Sequence, residues 1–140
     1  MKTISIPAVL ICLICAVGCE KKAESPDASV SFFIGDVTRN GKPVSIGDVV
    51  AEHDTIVTDA QSSCDIKLGG SLIRVKEKSK MIFSALAITG GAENTSLELG
   101  QGKLLCKPKK LLKNDSVTVK TPTAVAAVRG TEFTVESDSN

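Results

Sequence analysis

The chain contains no tryptophan and no tyrosine, and its only aromatic side chains are Phe32, Phe33, Phe83 and Phe133. Stacking platforms for nucleic-acid bases or sugar rings are therefore nearly absent, and a core has to be built mainly from Val, Ile and Leu. The single histidine, His53, lies between Glu52 and Asp54 in an acidic, turn-like stretch. No second ligand stands at zinc-like spacing from it, so no metal site is expected. A histidine-based nucleophile would have to rest on that one solvated residue. Gly-x-Ser-x-Gly, phosphate-loop and His-Glu-x-x-His patterns are missing. The expectation is a protein that is not an enzyme and holds no cofactor. Charge of one sign is also lacking, since the formal net charge is +1. No global field draws the chain to nucleic acid or to acidic substrates.

Long hydrophobic runs are confined to the beginning. Ile4 to Val17 is apolar apart from Ser5, comes after the positive charge of Lys2, and contains Pro7. It is shorter than the roughly 20 residues a helix needs to cross a bilayer and has the length of a signal-peptide core. The run ends in Ala16-Val17-Gly18-Cys19, which resembles a bacterial lipobox. Small residues let that stretch lie extended in a peptidase cleft. The Cys19 thiol can then become a thioether to diacylglycerol, whose fatty acyl chains include such groups as palmitate, after which signal peptidase cuts between Gly18 and Cys19. The alternative is an ordinary cleavage site with Cys19 as a free thiol. The next stretch favours lipidation, because Glu20 to Ala28 is polar, contains Pro26 and has no apolar periodicity. Fully extended, that tether spans about 30 Å. One acyl chain holds a protein only reversibly, whereas two or more anchor it stably.

The expected organisation is a signal peptide over 1–18, a lipidated cysteine and polar tether over 19–29, and one small domain over 30–140. The protein is then exported and held to a bacterial membrane, with the outer membrane favoured. Cys12 and Cys15 leave with the signal, and Cys64 and Cys106 remain. A disulfide between them would close a loop of about forty residues and be worth roughly 2–4 kcal/mol. The favoured alternative is a pair of buried free thiols acting as small hydrophobes, because each lies among alternating apolar neighbours.

The rest of the chain alternates short β-like runs with turns, and no helix-period stripe stands out. Val30 to Val37 is rich in β-branched and aromatic residues, and Asn40-Gly41 after it is a strong hairpin signal. Cys64, Ile66 and Leu68 alternate with Asp65 and Lys67. Gly69-Gly70 makes a turn, and Leu72, Ile73 and Val75 supply the returning strand. Lys80 to Phe83 reads as a short strand and Gly90 to Asn94 as a loop, with Ser84 to Thr89 open to either. Further strands are expected around Leu97 and Leu99, Leu104 and Cys106, Val117 and Val119, and Phe133 and Val135; only Leu111 and its neighbours hint at helix. The fold class is therefore all-β, as a sandwich, a barrel-like form or a short β-solenoid.

Two basic groups stand out, Lys103, Lys107, Lys109, Lys110 and Lys113, and then Arg74, Lys76, Lys78 and Lys80. On alternating strand positions the second group would line one face. These lysines fit either a solvated outer face and guarded edge or a patch for anionic lipid, the first being favoured.

The segment Thr121 to Val135, TPTAVAAVRGTEFTV, resembles the end of the FecR domain, named for the periplasmic part of regulators of bacterial iron-citrate uptake. Gly35 with Val37, Gly47-Asp48, Asp54-Thr55-Ile56, Thr58, Gly70-Ser71, Ile73-Arg74-Val75, Ser79, Gly100 and Gly102-Lys103 fit the same pattern in order. Regulators of that type carry a cytoplasmic anti-sigma segment and a transmembrane helix before the domain; here a lipid anchor takes their place. The family's Asp-Gly-Ser turn appears as Gly69-Gly70-Ser71. Family members commonly continue past Phe-x-Val into a further strand, so either an unpaired edge or a truncated product is expected at the end of this chain. Thr121, Pro122, Val128, Arg129, Gly130, Thr131 and Phe133 read as structural. Gly130 suits a backbone conformation closed to other residues or a close approach by another strand, and Arg129 suits a pair with Glu132 or a clamp on carbonyls. The implied function is a non-catalytic binding or scaffold module with an envelope protein or glycan as ligand. The alternative is a sensory component without its own anti-sigma segment.

Lipidation of Cys19 is directly testable by metabolic labelling with a fatty acid. The wild type should take up label and Cys19→Ala should not. A labelled mutant, or an unlabelled wild type released from membranes by high salt, would refute it.

Overall fold

The computed structural model describes residues 27–89, 92–108 and 115–138. Eleven strands and no helix are found among them: β1 (Ala28–Ile34), β2 (Val37–Arg39), β3 (Lys42–Pro43), β4 (Thr55–Thr58), β5 (Ser63–Leu68), β6 (Ser71–Val75), β7 (Ser79–Thr89), β8 (Ala92–Lys107), β9 (Ser116–Lys120), β10 (Val125–Val128) and β11 (Phe133–Ser137). The all-β expectation holds. The strands join in one sheet curled into half a barrel.

The registers show how. β6 and β7 lie end to end along one edge of β8, Val75 opposite Leu104 and Lys80 opposite Gln101. β5 and β4 lie end to end along them, with Cys64 opposite Val75 and Thr58 opposite Ser79. β1 and β2 continue in the same way, with Ile34 opposite Ser63 and Val37 opposite Thr58. The other edge of β8 takes β9 in parallel near Leu97 and β11 antiparallel near Leu104. The molecule is thus a meander of long strands, each bent once, and the bends align in a crease. On one side lie β1, β5, β6, β11 and the end of β8; on the other lie β2 to β4, β7, β9, β10 and the start of β8.

The strands form because apolar residues recur with period two and face inward from both sides of the crease. Ile66, Ile73 and Leu104 from one half meet Ile56, Met81, Phe83, Leu97, Leu99 and Val119 from the other, all essentially inaccessible to solvent. Phe33, Phe133 and Val135 pack against this cluster from its margin.

The crease itself is polar. Thr58 Oγ1 donates to the Lys76 carbonyl and accepts from the Ser79 N–H. Ser79 Oγ accepts from the Lys103 N–H at 3.0 Å, and Ser62 Oγ accepts from the Asp36 N–H at 2.8 Å. These buried hydroxyls satisfy backbone groups that the bends remove from the ladder. Gly102, at φ +94°, lies so close to Ser79 that a Cβ would overlap its Cα and side chain. Gly35 is likewise pressed against Ser62 at φ +72°.

A second fixed point is Asp54, whose carboxylate accepts from the Ala51 N–H at 2.8 Å, from Asn40 Nδ2 and from an Arg39 guanidinium nitrogen at 3.2 Å. Burial pushes this carboxyl up, but those donors outweigh it and hold it below its ordinary value of 3.8.

Several sequence expectations are revised. The run from Val30 to Val37 is broken at Gly35-Asp36, and strand pairing already begins at Ala28. Ser84 to Thr89 is strand. Ala92, Glu93 and Asn94, expected in a loop, pair with Thr89, Ile88 and Ala87. The strands expected around Leu97 and Leu104 are one, β8, because the chain bends through Gly100 to Gly102 without leaving the sheet. The helix hint at Leu111 lies outside the described residues. Asn40-Gly41 does form the hairpin turn, with φ of 51° and 78°.

Gly102→Val tests the crease. Urea unfolding should show a loss well beyond the ~1 kcal/mol of an ordinary point mutation, because the new side chain meets both a forbidden φ and the Ser79 backbone. A midpoint equal to wild type would contradict the crease.

Candidate functional site

The segment singled out by its motif lies near the surface, with no fully buried residue from Thr121 to Asp138. β9 leads through a tight turn into β10. The Thr121 N–H donates to the Ala124 carbonyl at 2.8 Å, and Thr121 Oγ1 accepts from the Ala124 N–H at 3.0 Å. Pro122 occupies the turn, where its missing N–H costs nothing. β10 then pairs with β9 and with no other strand among the described residues, Val125 opposite Lys120 and Val128 opposite Val117.

The turn decides which backbone groups this edge offers. Thr121 and Ala124 are a hydrogen-bonded pair, and such pairs alternate along an antiparallel ladder. Ala126 and Val128 therefore direct their N–H and C=O toward β9. Val125 and Ala127 direct theirs away from it, into solvent. The side chains are small and apolar, and Val125 is 67% exposed. An open, uncharged edge of this kind is a template for another strand.

Arg129 to Glu132 carries the chain from β10 across to β11. Gly130 has φ +84° and open space around its Cα. Its glycine is required by backbone conformation and not by a close approach. Arg129 is exposed and clamps no carbonyl, and Glu132 pairs instead with Lys107 at 3.5 Å. Thr131 is exposed as well. Val128 is half-buried, and Phe133, opposite Cys106, turns inward to the core. The motif thus divides into an exposed strand and turn, and an anchor at Phe133.

Cys19, the expected lipidation site, lies outside the described residues. Cys64 and Cys106 are buried free thiols. They stand on β5 and β8 with β6 between them, Cys64 opposite Val75 and Cys106 opposite Ile73. Two strand spacings of about 4.8 Å exceed the roughly 7 Å limit between bridged Cα atoms. The disulfide option is therefore corrected: register separates the thiols. Burial pushes both up to about 12, with the Asp65 charge adding to Cys64.

His53, at φ 70°, sits in the turn preceding Asp54, its N–H bonded to the Phe83 carbonyl. Among the described residues no group of three or more metal-ligating side chains forms. The basic groups do not form one face either. Arg74 is on one side of the crease, held bidentately by Asp65 at 2.6 Å, and Lys80 is on the other. Lys103 pairs with Glu136 at 2.8 Å. Lys109, Lys110 and Lys113 lie outside the described residues. Beside the crease, a cleft of about 520 Å³ is lined by Lys76, Lys78, Gln101, Glu136 and Asp138. Its charges are of both signs, and Ser137, whose Oγ donates to the Gly100 carbonyl, also lines it.

The model of the FecR protein family matches residues 54–140, from Asp54 through the crease and the β10 edge. No curated protein and no solved structure matches the chain.

The thiol geometry predicts that the native protein resists a thiol reagent at pH 8, since thiols raised toward 12 carry almost no thiolate there. Cys64 and Cys106 should both react once urea unfolds the chain, with or without reductant. Reaction that requires prior reduction would show a disulfide.

Proposed function

The chain belongs to the FecR protein family, and from that premise we propose that it is a lipid-tethered, non-catalytic module of the cell envelope. It binds a protein partner by accepting a strand at the β10 edge. The observation that supports this most is that the segment carrying the family resemblance is displayed. Val125 and Ala127 present their backbone groups to solvent on a strand with no charged side chain. Main-chain hydrogen bonds would supply affinity, and the side chains flanking the edge would supply specificity. A protein partner fits better than a glycan, because the large exposed hydrophobics include one aromatic, Phe32, on the far side of the crease.

The family is typically involved in extracytoplasmic signal transduction and is not known for catalysis. This favours a second reading, in which strand addition at β10 reports the state of one envelope component to another. The two readings separate by genetics. Deleting a sensor changes transcription of a target operon, whereas deleting a scaffold leaves it unchanged.

Ala127→Pro tests the edge itself. Proline at that position removes a donor pointing to solvent, so the urea midpoint should move little. Ala126→Pro removes a donor to β9 and should destabilise the fold clearly. After cross-linking in intact cells, tagged full-length wild type should capture a partner that Ala127→Pro loses. Equal capture by both would sink strand addition at β10.

A further inference from the structure

The outer face of the half-sheet formed by β1, β5 and β6 poses a separate question, because large apolar side chains sit on it in the open. Phe32 and Ile34 on β1 are 49% and 54% exposed. Val30 and Phe33 turn inward, and the bulge between Val30 and Phe32 puts Phe32 and Ile34 outward. Ile46 and Val49, 66% and 67% exposed, come from the connection between β3 and β4. That connection runs beside β1. The Gly47 N–H bonds the Val30 carbonyl, the Val50 N–H bonds the Ala28 carbonyl, and Ser29 bridges Val49. Leu72, half-buried, continues the apolar surface inward on β6.

Charges of both signs stand on and beside this face. Arg74 and Asp65 neutralise each other in the row of Phe32, and Lys107 is matched by Glu132. Lys67, opposite Ser29 and Leu72, is exposed and makes no ion pair among the described residues; Asp48, between Ile46 and Val49, makes none either and accepts from the Ser45 N–H.

We propose that this face lies on the surface of an anionic lipid bilayer. Two observations select that occupant. The first is where the chain outside the structure ends: the described residues begin at Asp27, and Ala28 opens the same strand that carries Phe32 and Ile34. A tether spanning at most about 30 Å keeps the face within reach of the membrane holding Cys19, so even a weak contact is populated at that effective concentration. The second is chemical. An apolar patch with the free Lys67 ammonium at its margin, and with the one acid among its apolar residues, Asp48, taken up by the Ser45 N–H, fits the boundary between acyl chains and anionic headgroups. This inference rests on the lipid tether proposed above. Its consequence is orientation: β9 and β10, across the crease, stay clear of the bilayer and open to a partner.

The test uses full-length lipidated protein in vesicles containing phosphatidylglycerol. Single cysteines at Phe32→Cys, Val49→Cys or Val57→Cys carry a nitroxide, the native Cys64 and Cys106 being buried and unreactive. Val57, exposed on β4 of the other half, is the water-facing control. Labels at 32 and 49 should be relaxed by oxygen in the lipid phase and protected from an aqueous nickel chelate, with the reverse at 57. Lys67→Gln should shift the docked-to-undocked ratio about fivefold toward undocked. If protein that floats with the vesicles shows labels at 32 and 49 as open to nickel as 57, the face is wrong and the tether stands. Protein that does not float overturns tether and face together. An unshifted ratio for Lys67→Gln overturns the assignment of anionic lipid.

Discussion

A flat antiparallel sheet with one apolar face cannot cover that face by itself, and the crease is how this chain meets that constraint. Each long strand bends once, and the two halves close their apolar faces on each other. Bending breaks the ladder at each strand, and every break leaves donors and acceptors inside a dry region, where each unmet group is costly. Thr58, Ser62 and Ser79 meet that demand with hydroxyls that bond backbone groups across the bends. Gly35 and Gly102 give the hydroxyls room and take the φ that the bend imposes. Neither group suffices alone. Glycine without the hydroxyl would leave unpaired amides, and the hydroxyl without glycine would not fit.

Asp54 plays a corresponding part at the far end of the second half. It gathers Arg39, Asn40 and Ala51, which fixes the connection from β3 to β4. The same connection bonds β1 at Ala28 and Val30 and so covers part of an outer sheet edge. One carboxylate thereby helps set how Ile46 and Val49 are displayed. Because its carboxyl titrates below 3.8, its contribution is fully present above that value and is lost as pH falls through the folded-state value.

Local features were legible in the sequence and long-range ones were not. Period-two alternation marked the inward faces of β5, β6 and β9, since alternation is a property of each strand alone. Asn40-Gly41 and Gly69-Gly70 marked turns, since turn geometry is set by the turn residues. The continuity of β8 was hidden because Gly100 and Gly102 read as breaks, and only the presence of Ser79 on a neighbouring strand makes them a bend. The separation of Cys64 from Cys106 was hidden for the same reason: spacing in sequence says nothing of the strand that lies between them. Arg129 looked like a clamp because a guanidinium is suited to one, but the turn at Gly130 points that segment to solvent, and Lys107 claims Glu132.

The span of the family match divides the molecule in a way that bears on its working. Residues 54–140 hold Asp54, the crease hydroxyls Thr58, Ser62 and Ser79, Gly102 and the open β10 edge. Phe32, Ile34, Ile46 and Val49 all fall before that span, in β1 and the connection packed beside it. Most of the frame and the β10 edge thus fall within the match, whereas the bilayer face is divided, its most exposed apolar residues lying before the match and Lys67 and Leu72 within it. Phe32 and Ile34 stand on the first strand, where their outward side chains can change without disturbing the registers of β4 to β8. The crease holds β1 and β10 on opposite halves of one sheet, so that covering the outer face of one leaves the edge of the other open.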